Sequence, residues 1–186
     1  TPPEGVEAEV LYVGRGRAEE LSRADIRGKF ALVDGLASPH LSRAIEDRGA
    51  IGHICISGEN IINMIVTSIW GTPTAETAWR IPRSHVLSIV RQDGDRIKEA
   101  LKKGPVRARM KVRSFVGWKK IPILLAHIEG RVEPQRYAIL GGHIDSWHYG
   151  ATDNGTANAA MMETARVMKL HQDRLRRSLK VAFWSG

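Results

Sequence analysis

The chain has 186 residues, 42% of them hydrophobic and 26% charged, and a formal net charge of +8 at pH 7. This composition excludes a disordered or fibrous chain and provides enough apolar residues for a buried core in one or two domains. The sequence shows neither a signal peptide nor an apolar run near the ~18 residues of a membrane span. Its single cysteine excludes an internal disulfide framework. The compartment, secreted or cytoplasmic, therefore stays open.

Short strands and helices alternate through the first part of the chain. Four apolar or alternating runs, each bounded by glycine or a turn, predict strands over residues 6–13, 29–33, 52–57 and 86–90. A helix is predicted over residues 38–48, with Ser38 as its cap and Gly49 as its terminator. A second helix is predicted over residues 93–101, with Asp93 as its cap.

The chemically reactive side chains of this part fit packing better than catalysis. Cys55 lies in an apolar run, which predicts a buried and unreactive thiol. Three histidines have no ligand spacing and are expected on the surface or in packing positions: His40, His53 and His85. Residues 60–80 are harder to interpret, and core packing is expected for Ile65, Ile69 and Trp70.

Positive charge is concentrated between residues 91 and 120, where eleven Lys or Arg residues stand against three acidic ones. Within this window basic residues at 107, 109, 111 and 113 alternate with apolar ones, which predicts a half-buried strand with a solvated basic face. Such a stripe could also bind an anionic partner. No aromatic residues interleave with it and no nucleic-acid motif accompanies it, so a nucleic-acid partner is not expected.

A second part of the chain is expected from residue 118 onward. Strands are predicted over residues 121–128, 137–140 and 179–184, a turn over 130–135, and a helix over 155–171. The helix places one apolar stripe toward a core, made by Ala157, Ala160, Met161, Ala165 and Met168. A strand, a helix and a strand predict a βαβ unit with parallel strands. The strand over 179–184 is expected to be exposed at a sheet edge, which would allow homo-oligomers.

The polar residues that follow the strand over 137–140 are the candidate functional site. His143 and Asp145 are two apart and project to the same side of an extended chain, where the carboxylate can accept the second imidazole N–H. Asp153 comes ten residues after His143, at the start of the next helix. A histidine nitrogen and a carboxylate oxygen at a strand end suit zinc. Taken singly, Asp153 also fits a helix cap and His143 a structural histidine.

These residues lie in a longer motif. Gly141-Gly142-His143-Ile144-Asp145-Ser146-Trp147 and then residues 150–156 resemble the first metal-ligand block of the M28 zinc exopeptidases, in the branch that holds glutamate carboxypeptidase and the transferrin receptor. The resemblance implies that His143 ligates one zinc, that Asp153 bridges two zincs, and that Asp145 is a catalytic residue that orients the histidine. Ala157 departs from the glycine that many members carry there.

The first part resembles a protease-associated domain, on residues 25–33, 44–56, 81–82 and 86–101 taken in that order. The predicted fold class is therefore α/β, with a β-rich protease-associated domain at 1–117. The first βαβ part of an M28-like peptidase sheet is predicted at 118–186. The resemblance implies a lid or substrate-shaping role for the first domain.

Together the two resemblances imply a portion of a zinc-dependent exopeptidase that acts on peptides. In the family a Glu-Glu pair supplies the general base just after the position of Gly186, and further ligands follow later. This chain is therefore expected to be an N-terminal fragment, inactive alone, with zinc bound weakly or not at all, whereas its parent is an enzyme with two zinc ions. The alternative is a non-catalytic module of the same fold that binds a protein or peptide.

Overall fold

The computed structural model describes residues 1–62, 64–69, 71–115, 117, 119–146 and 148–185. The chain divides into two compact units, Thr1–Val116 and Gly117–Gly186. The expected core position of Trp70 lies outside the described residues, as does Trp147 of the motif. Within the described ranges, no helix combines the length and the apolar composition that crossing a bilayer requires.

The first unit is an open α/β sheet with helices between its strands. The strands are β1 Val6–Tyr12, β2 Phe30–Asp34, β3 Gly52–Gly58, β4 His85–Val90 and β5 Val106–Met110, and the helices are α1 Ala18–Ser22, α2 Pro39–Glu46 and α3 Arg91–Lys103. The strand order is β4-β3-β2-β1-β5, with β1 to β4 parallel and β5 antiparallel to β1. The first four strands lie within one residue of their predicted bounds.

An apolar core lies on each face of this sheet. On one face strand residues such as Phe30 and Ile54 pack with Ile97 and Leu101 of α3. On the other face Ala31 and Val33 pack with residues of α1 and α2, among them Leu21 and Ile45. Because β2 contributes to both cores, its residues from Phe30 to Val33 are fully buried, as expected of a strand covered on both sides.

The two helix starts differ in how well the sequence predicted them. Ser38 caps α2 as expected, since its Oγ accepts the backbone N–H of Leu41 at 3.3 Å. Asp93 is not the cap of α3, because the helix starts at Arg91, directly after β4, with Val90 in the cap position. Asp93 instead lies in the first turn, where its carboxylate interacts favourably with the positive end of the helix dipole.

The loop between β1 and α1 contains Gly14-Arg15-Gly16-Arg17, with both glycines at positive φ. Its backbone N–H groups at Arg15 and Arg17 donate to Oε2 of Glu20, at 3.1 and 2.8 Å. These hydrogen bonds lower the pKa of Glu20 below its ordinary value, and the bond from Arg17 has the largest effect. The loop is therefore closed around a carboxylate from the following helix.

The basic strand lies at the edge of the first sheet and is shorter than predicted. β5 ends at Met110, so Lys111 and Arg113 follow the strand. Arg107 and Arg109 both pair with Glu7 on β1, at 3.2 and 2.9 Å. All three side chains are exposed, so these ion pairs contribute little stability but compensate part of the positive charge. The arrangement fits a solvated face better than a binding stripe.

The second unit contains a three-stranded sheet and one helix. Its elements are β6 Leu124–Ile128, β7 Glu133–His143, α4 Thr156–Leu170 and β8 Arg177–Trp184. The strand order is β6-β8-β7, with β7 and β8 parallel and β6 antiparallel to β8. The predicted parallel βαβ unit is therefore confirmed. The expected exposed edge at residues 179–184 is wrong, since β8 is the central strand and the edges are β6 and β7.

The core of the second unit lies between α4 and one face of the sheet. Met161 of α4 packs with Ile128, Leu179, Val181 and Phe183. Ala160, predicted in the helix stripe, is exposed instead. The predicted turn over 130–135 is partly strand, because Glu133 already donates its N–H to Arg176 O at 2.9 Å. The opposite face of the sheet presents exposed apolar side chains: Leu125, Tyr137, Ile139 and Trp184.

Candidate metal centre

The candidate site lies where β7 ends. His143 is the last residue of β7 and pairs in register with Trp184 of β8. The next residue, Ile144, donates its N–H to Trp184 O at 2.8 Å, which is one hydrogen bond beyond the assigned strand. The carboxyl ends of parallel strands are where open α/β sheets place ligands. The fold therefore brings His143 to a position that suits a functional site.

His143 and Asp145 are in contact, as the spacing of the motif predicts. The Nδ1 atom of His143 lies 3.1 Å from the backbone O of Asp145 and 3.3 Å from its Oδ1. Both atoms are acceptors, so the N–H of the imidazole is held on Nδ1 and donates to Asp145. The lone pair of the neutral ring is then on Nε2, the nitrogen that a metal could bind.

Asp153 approaches the other side of the same ring. Its Oδ1 lies 2.9 Å from His143 Nε2, and its side chain is 81% exposed. Asp153 belongs to the short turn Ala151–Gly155, has non-helical φ and ψ angles, and precedes α4 by three residues. No side-chain cap hydrogen bond is made at the start of α4. The helix-cap interpretation of Asp153 is therefore not supported by its geometry.

The surroundings of His143 favour its protonated form in the metal-free chain. Partial burial pulls the pKa of His143 down. The carbonyl and carboxylate of Asp145 and the carboxylate of Asp153 outweigh that effect and raise the pKa above its ordinary value. A proton on Nε2 makes the contact with Asp153 an ion pair, and a metal ion at that position would displace the proton.

Two asparagines that the sequence analysis did not single out hold the backbone of His143. Its carbonyl accepts the side-chain N–H of Asn154 at 3.2 Å and that of Asn158 at 2.9 Å. Gly142 allows this approach, since a Cβ there would lie 3.0 Å from Asn154 Nδ2 and 3.0 Å from Met161 Sδ. The sequence offered no periodic signal for this arrangement, because Asn154 lies in the turn before α4 and Asn158 on the helix itself.

Within the described residues, no group of three or more His, Cys, Asp or Glu side chains is arranged to hold a metal ion. The reason is geometric. Asp145 contacts Nδ1 of His143 and Asp153 contacts Nε2, so a metal ion bound to Nε2 would lie beside Asp153 and on the far side of the ring from Asp145. One histidine nitrogen and one carboxylate oxygen fit zinc in type, but a protein zinc site uses three or four ligands. The described residues thus supply part of a site.

Glu163 is the first glutamate after Asp153 along the chain, and its carboxylate is engaged elsewhere. Its two carboxylate oxygens accept from Nε and Nη2 of Arg166, each at 2.7 Å. This pairing lowers the pKa of Glu163, so the carboxylate is a weak proton acceptor. The side chains that contact His143 in the described residues therefore do not include a general base beyond Asp145 and Asp153.

The fold and this site define an α/β chain with a histidine–carboxylate pair at the end of a parallel strand. Residues 124–186 match the model of Peptidase family M28. The resemblance to the M28 zinc exopeptidases that the motif predicts is thereby confirmed for this part of the chain, and the mixed α/β fold class is confirmed as well.

The similarity to known proteins extends beyond residues 124–186. Carboxypeptidase Q of Pongo abelii is 26% identical over 201 residues, which cover 100% of this chain and 41% of that protein. The probable glutamate carboxypeptidase VP8 of Zea mays is 35% identical over 86 residues, 45% of this chain and 12% of that protein. BSAP, a zinc aminopeptidase from Bacillus subtilis, has a similar fold, with a TM-score of 0.70 and 21% identity over 100% of this chain and 43% of that one. The chain thus spans less than half the length of these relatives.

Proposed function

We propose that this chain carries the first part of the metal site of an M28-type zinc exopeptidase, which removes residues from one end of a peptide. The observation that carries the proposal is the contact of 2.9 Å between His143 Nε2 and Asp153 Oδ1 at the end of a parallel strand. The family match of residues 124–186 supports it. His143 and Asp153 are the proposed zinc ligands.

Each side chain has a distinct role in this proposal. His143 offers Nε2 to zinc because Asp145 accepts the proton of Nδ1, so Asp145 acts by fixing the tautomer and the orientation of the ring. Asp153 offers Oδ1, and its exposure leaves the second oxygen open toward another ion. Bound zinc supplies a water of lowered pKa and polarises the peptide carbonyl.

The chain alone is proposed to be inactive. Catalysis needs a positioned base next to the metal-bound water, and Glu163 is already paired with Arg166. We expect zinc to bind weakly to the 186-residue chain, because two ligands fall short of the three that zinc sites use. The first unit, residues 1–117 in the predicted division, is proposed to be a protease-associated domain that shapes access of the peptide.

A second candidate is a non-catalytic module of the same fold that binds a protein or peptide. Such a module would need no metal ligands beyond those that the described residues supply. The two candidates differ in one measurable property, because only the first requires turnover that depends on a metal.

The test is an assay of the intact gene product with aminoacyl and N-acyl-dipeptide substrates, with zinc and with a chelator. We expect chelator-sensitive hydrolysis, and a loss of at least about 100-fold in the variants His143→Ala and Asp153→Ala. The matched control is His171→Ala, a histidine at the exposed end of α4, which should keep full turnover. Folded intact protein without any turnover would refute the enzyme and support the binding module, whereas hydrolysis by the 186-residue chain would refute its proposed inactivity.

A further inference from the structure

Asn158 is a half-buried side chain on the first turn of α4 whose chemistry packing does not explain. Its Nδ2 donates to His143 O at 2.9 Å, and its Oδ1 is buried without a hydrogen-bond partner among the described residues. The carbonyl of His143 can only accept, so the amide nitrogen has to face it and the oxygen has to face away. The orientation of the Asn158 side chain is therefore fixed by His143.

The unpaired oxygen has unfavourable surroundings. A buried acceptor without a donor is destabilising, and Asn158 Oδ1 faces Gly142, where an added Cβ would lie 3.6 Å from it. A leucine has nearly the same size and would leave no polar atom unpaired there. The unpaired oxygen offsets the stabilisation that the hydrogen bond to His143 O provides, so the asparagine is better accounted for by its donor group than by packing.

The carbonyl of His143 receives two donors from two different elements. Asn154, in the turn that also contains Asp153, donates at 3.2 Å, and Asn158 donates from α4. Asp153 and Asn154 are consecutive, so one residue contacts the imidazole of His143 and the next contacts its backbone. The carbonyl contact from α4 completes this connection between the strand end, the turn and the helix.

We propose that Asn158 is a positioning residue for His143, which holds the end of β7 so that the imidazole faces Asp153. The inference rests on the proposed function, in which His143 and Asp153 are zinc ligands. It concerns the backbone of a ligand and assigns Asn158 no contact with a metal or substrate. Groups that orient a ligand commonly change metal affinity by 10- to 100-fold when they are removed.

The experiment compares the wild-type chain with Asn158→Leu and Asn158→Ala in a zinc titration followed by the NMR resonances of the His143 imidazole. We expect zinc to bind about tenfold more weakly in both variants. The melting temperature of Asn158→Leu should be unchanged or higher, because the unpaired oxygen is gone. A role in packing alone would lower the melting temperature and leave the zinc affinity unchanged.

A second measurement needs no metal. The amide of Ile144 donates to Trp184 O at 2.8 Å, and its hydrogen exchange reports on the strand end next to His143. We expect its exchange to become faster by on the order of tenfold in the Asn158 variants, with no change for the amides of Leu140 and Val181 in the middle of the sheet. Thr164→Ala is the control, since it removes a similar side-chain hydrogen bond, to Ala160 O at 2.8 Å, elsewhere on α4.

The outcomes separate the two proposals. If the His143 resonances of the wild-type chain and the intact gene product do not respond to zinc, the proposed function fails, and exchange at Ile144 alone decides the role of Asn158. If zinc affinity and exchange at Ile144 are both the same in wild type and variants, the role of Asn158 is refuted while the proposed function stands.

Discussion

His53 shows how a single buried side chain can make the first unit sensitive to acid. It lies on β3, fully buried, with its Nε2 3.2 Å from Ser42 Oγ of α2, and its Nδ1 has no partner among the described residues. Burial lowers the pKa of His53 to about 4, against a smaller opposing effect of the Glu46 carboxylate. The expectation that this histidine has a packing role agrees with its position.

The sign of the effect follows from the two pKa values. In the unfolded chain the imidazole takes up a proton near its ordinary pKa of 6.5, whereas in the folded chain it stays neutral down to about pH 4. The unfolded state therefore binds more protons between these values, and stability is lost as the pH falls. We expect His53→Gln to reduce the loss between pH 7 and 4 by about 3 kcal/mol.

This prediction is checked by urea denaturation of the wild type and His53→Gln at pH 7, 5 and 4. His40→Gln, which replaces an exposed histidine, serves as the control and should keep the pH profile of the wild type. Equal pH profiles for the wild type and His53→Gln would contradict the assignment of the effect to His53.

At the level of single residues, the sequence predicted the burial of Cys55 but not the contact of Asn158 with His143. The apolar run around Cys55 predicted a buried thiol, and burial raises the pKa of Cys55 to about 12, so the thiolate is scarce at neutral pH. A local pattern was sufficient there because burial of a central strand follows from its composition. The contact of Asn158 with His143 joins residues 15 apart across a turn, and no periodicity of the sequence encodes that meeting.

At the level of elements, α4 offers a direct comparison of a core residue with its neighbour. Met161 is 5% exposed and packs with the sheet, whereas Met162 is 65% exposed. We expect Met161→Ala to destabilise the second unit by about 2–5 kcal/mol, because it leaves a cavity under the sheet. Met162→Ala should change stability by no more than about 0.5 kcal/mol.

The free energy of unfolding of the two variants is measured by thermal or urea unfolding. Hydrogen exchange of the β8 amides then shows whether the loss lies in the second unit. Similar losses in both variants would mean that the helix is rotated relative to the sheet in solution. Because the two substitutions remove the same atoms from adjacent positions, helix propensity cannot account for a difference between them.

The positions of the strands along the chain were predicted more reliably than the order in which the strands pair. Strand positions follow from local apolar runs, so the first four strands and the parallel pairing of β7 with β8 could be predicted. The central place of β8 could not, because it depends on where the distant strand β6 pairs. The start of α3 at Arg91 was missed for a related reason, since β4 leads into it without the usual polar cap.

At the scale of the whole molecule, the correction to the sheet order moves the expected self-association surface from β8 to β6 and β7. Tyr137 and Ile139 lie on the edge strand β7, with exposures of 53% and 59%. Apolar edge strands favour pairing with another chain. We propose that homo-oligomers form through β7, and we expect Ile139→Lys to reduce association, because a lysine on an edge strand opposes pairing.

Sedimentation velocity over a range of protein concentrations measures this. The control is Gln92→Lys, which adds the same charge to an exposed position of α3 in the first unit. A wild-type chain that stays monomeric at all concentrations, or association that Gln92→Lys and Ile139→Lys weaken equally, would contradict a specific role of this edge.

The loop after β1 has a consequence for nucleotide binding by the first unit. In open α/β sheets the glycine-rich turn after the first parallel strand is a common place for the phosphates of a nucleotide, which bind to its backbone N–H groups. Here the N–H groups of Arg15 and Arg17 already donate to Glu20. The chain's own carboxylate occupies the place of a phosphate, so Gly14-Arg15-Gly16 stabilises the turn and does not indicate a nucleotide site.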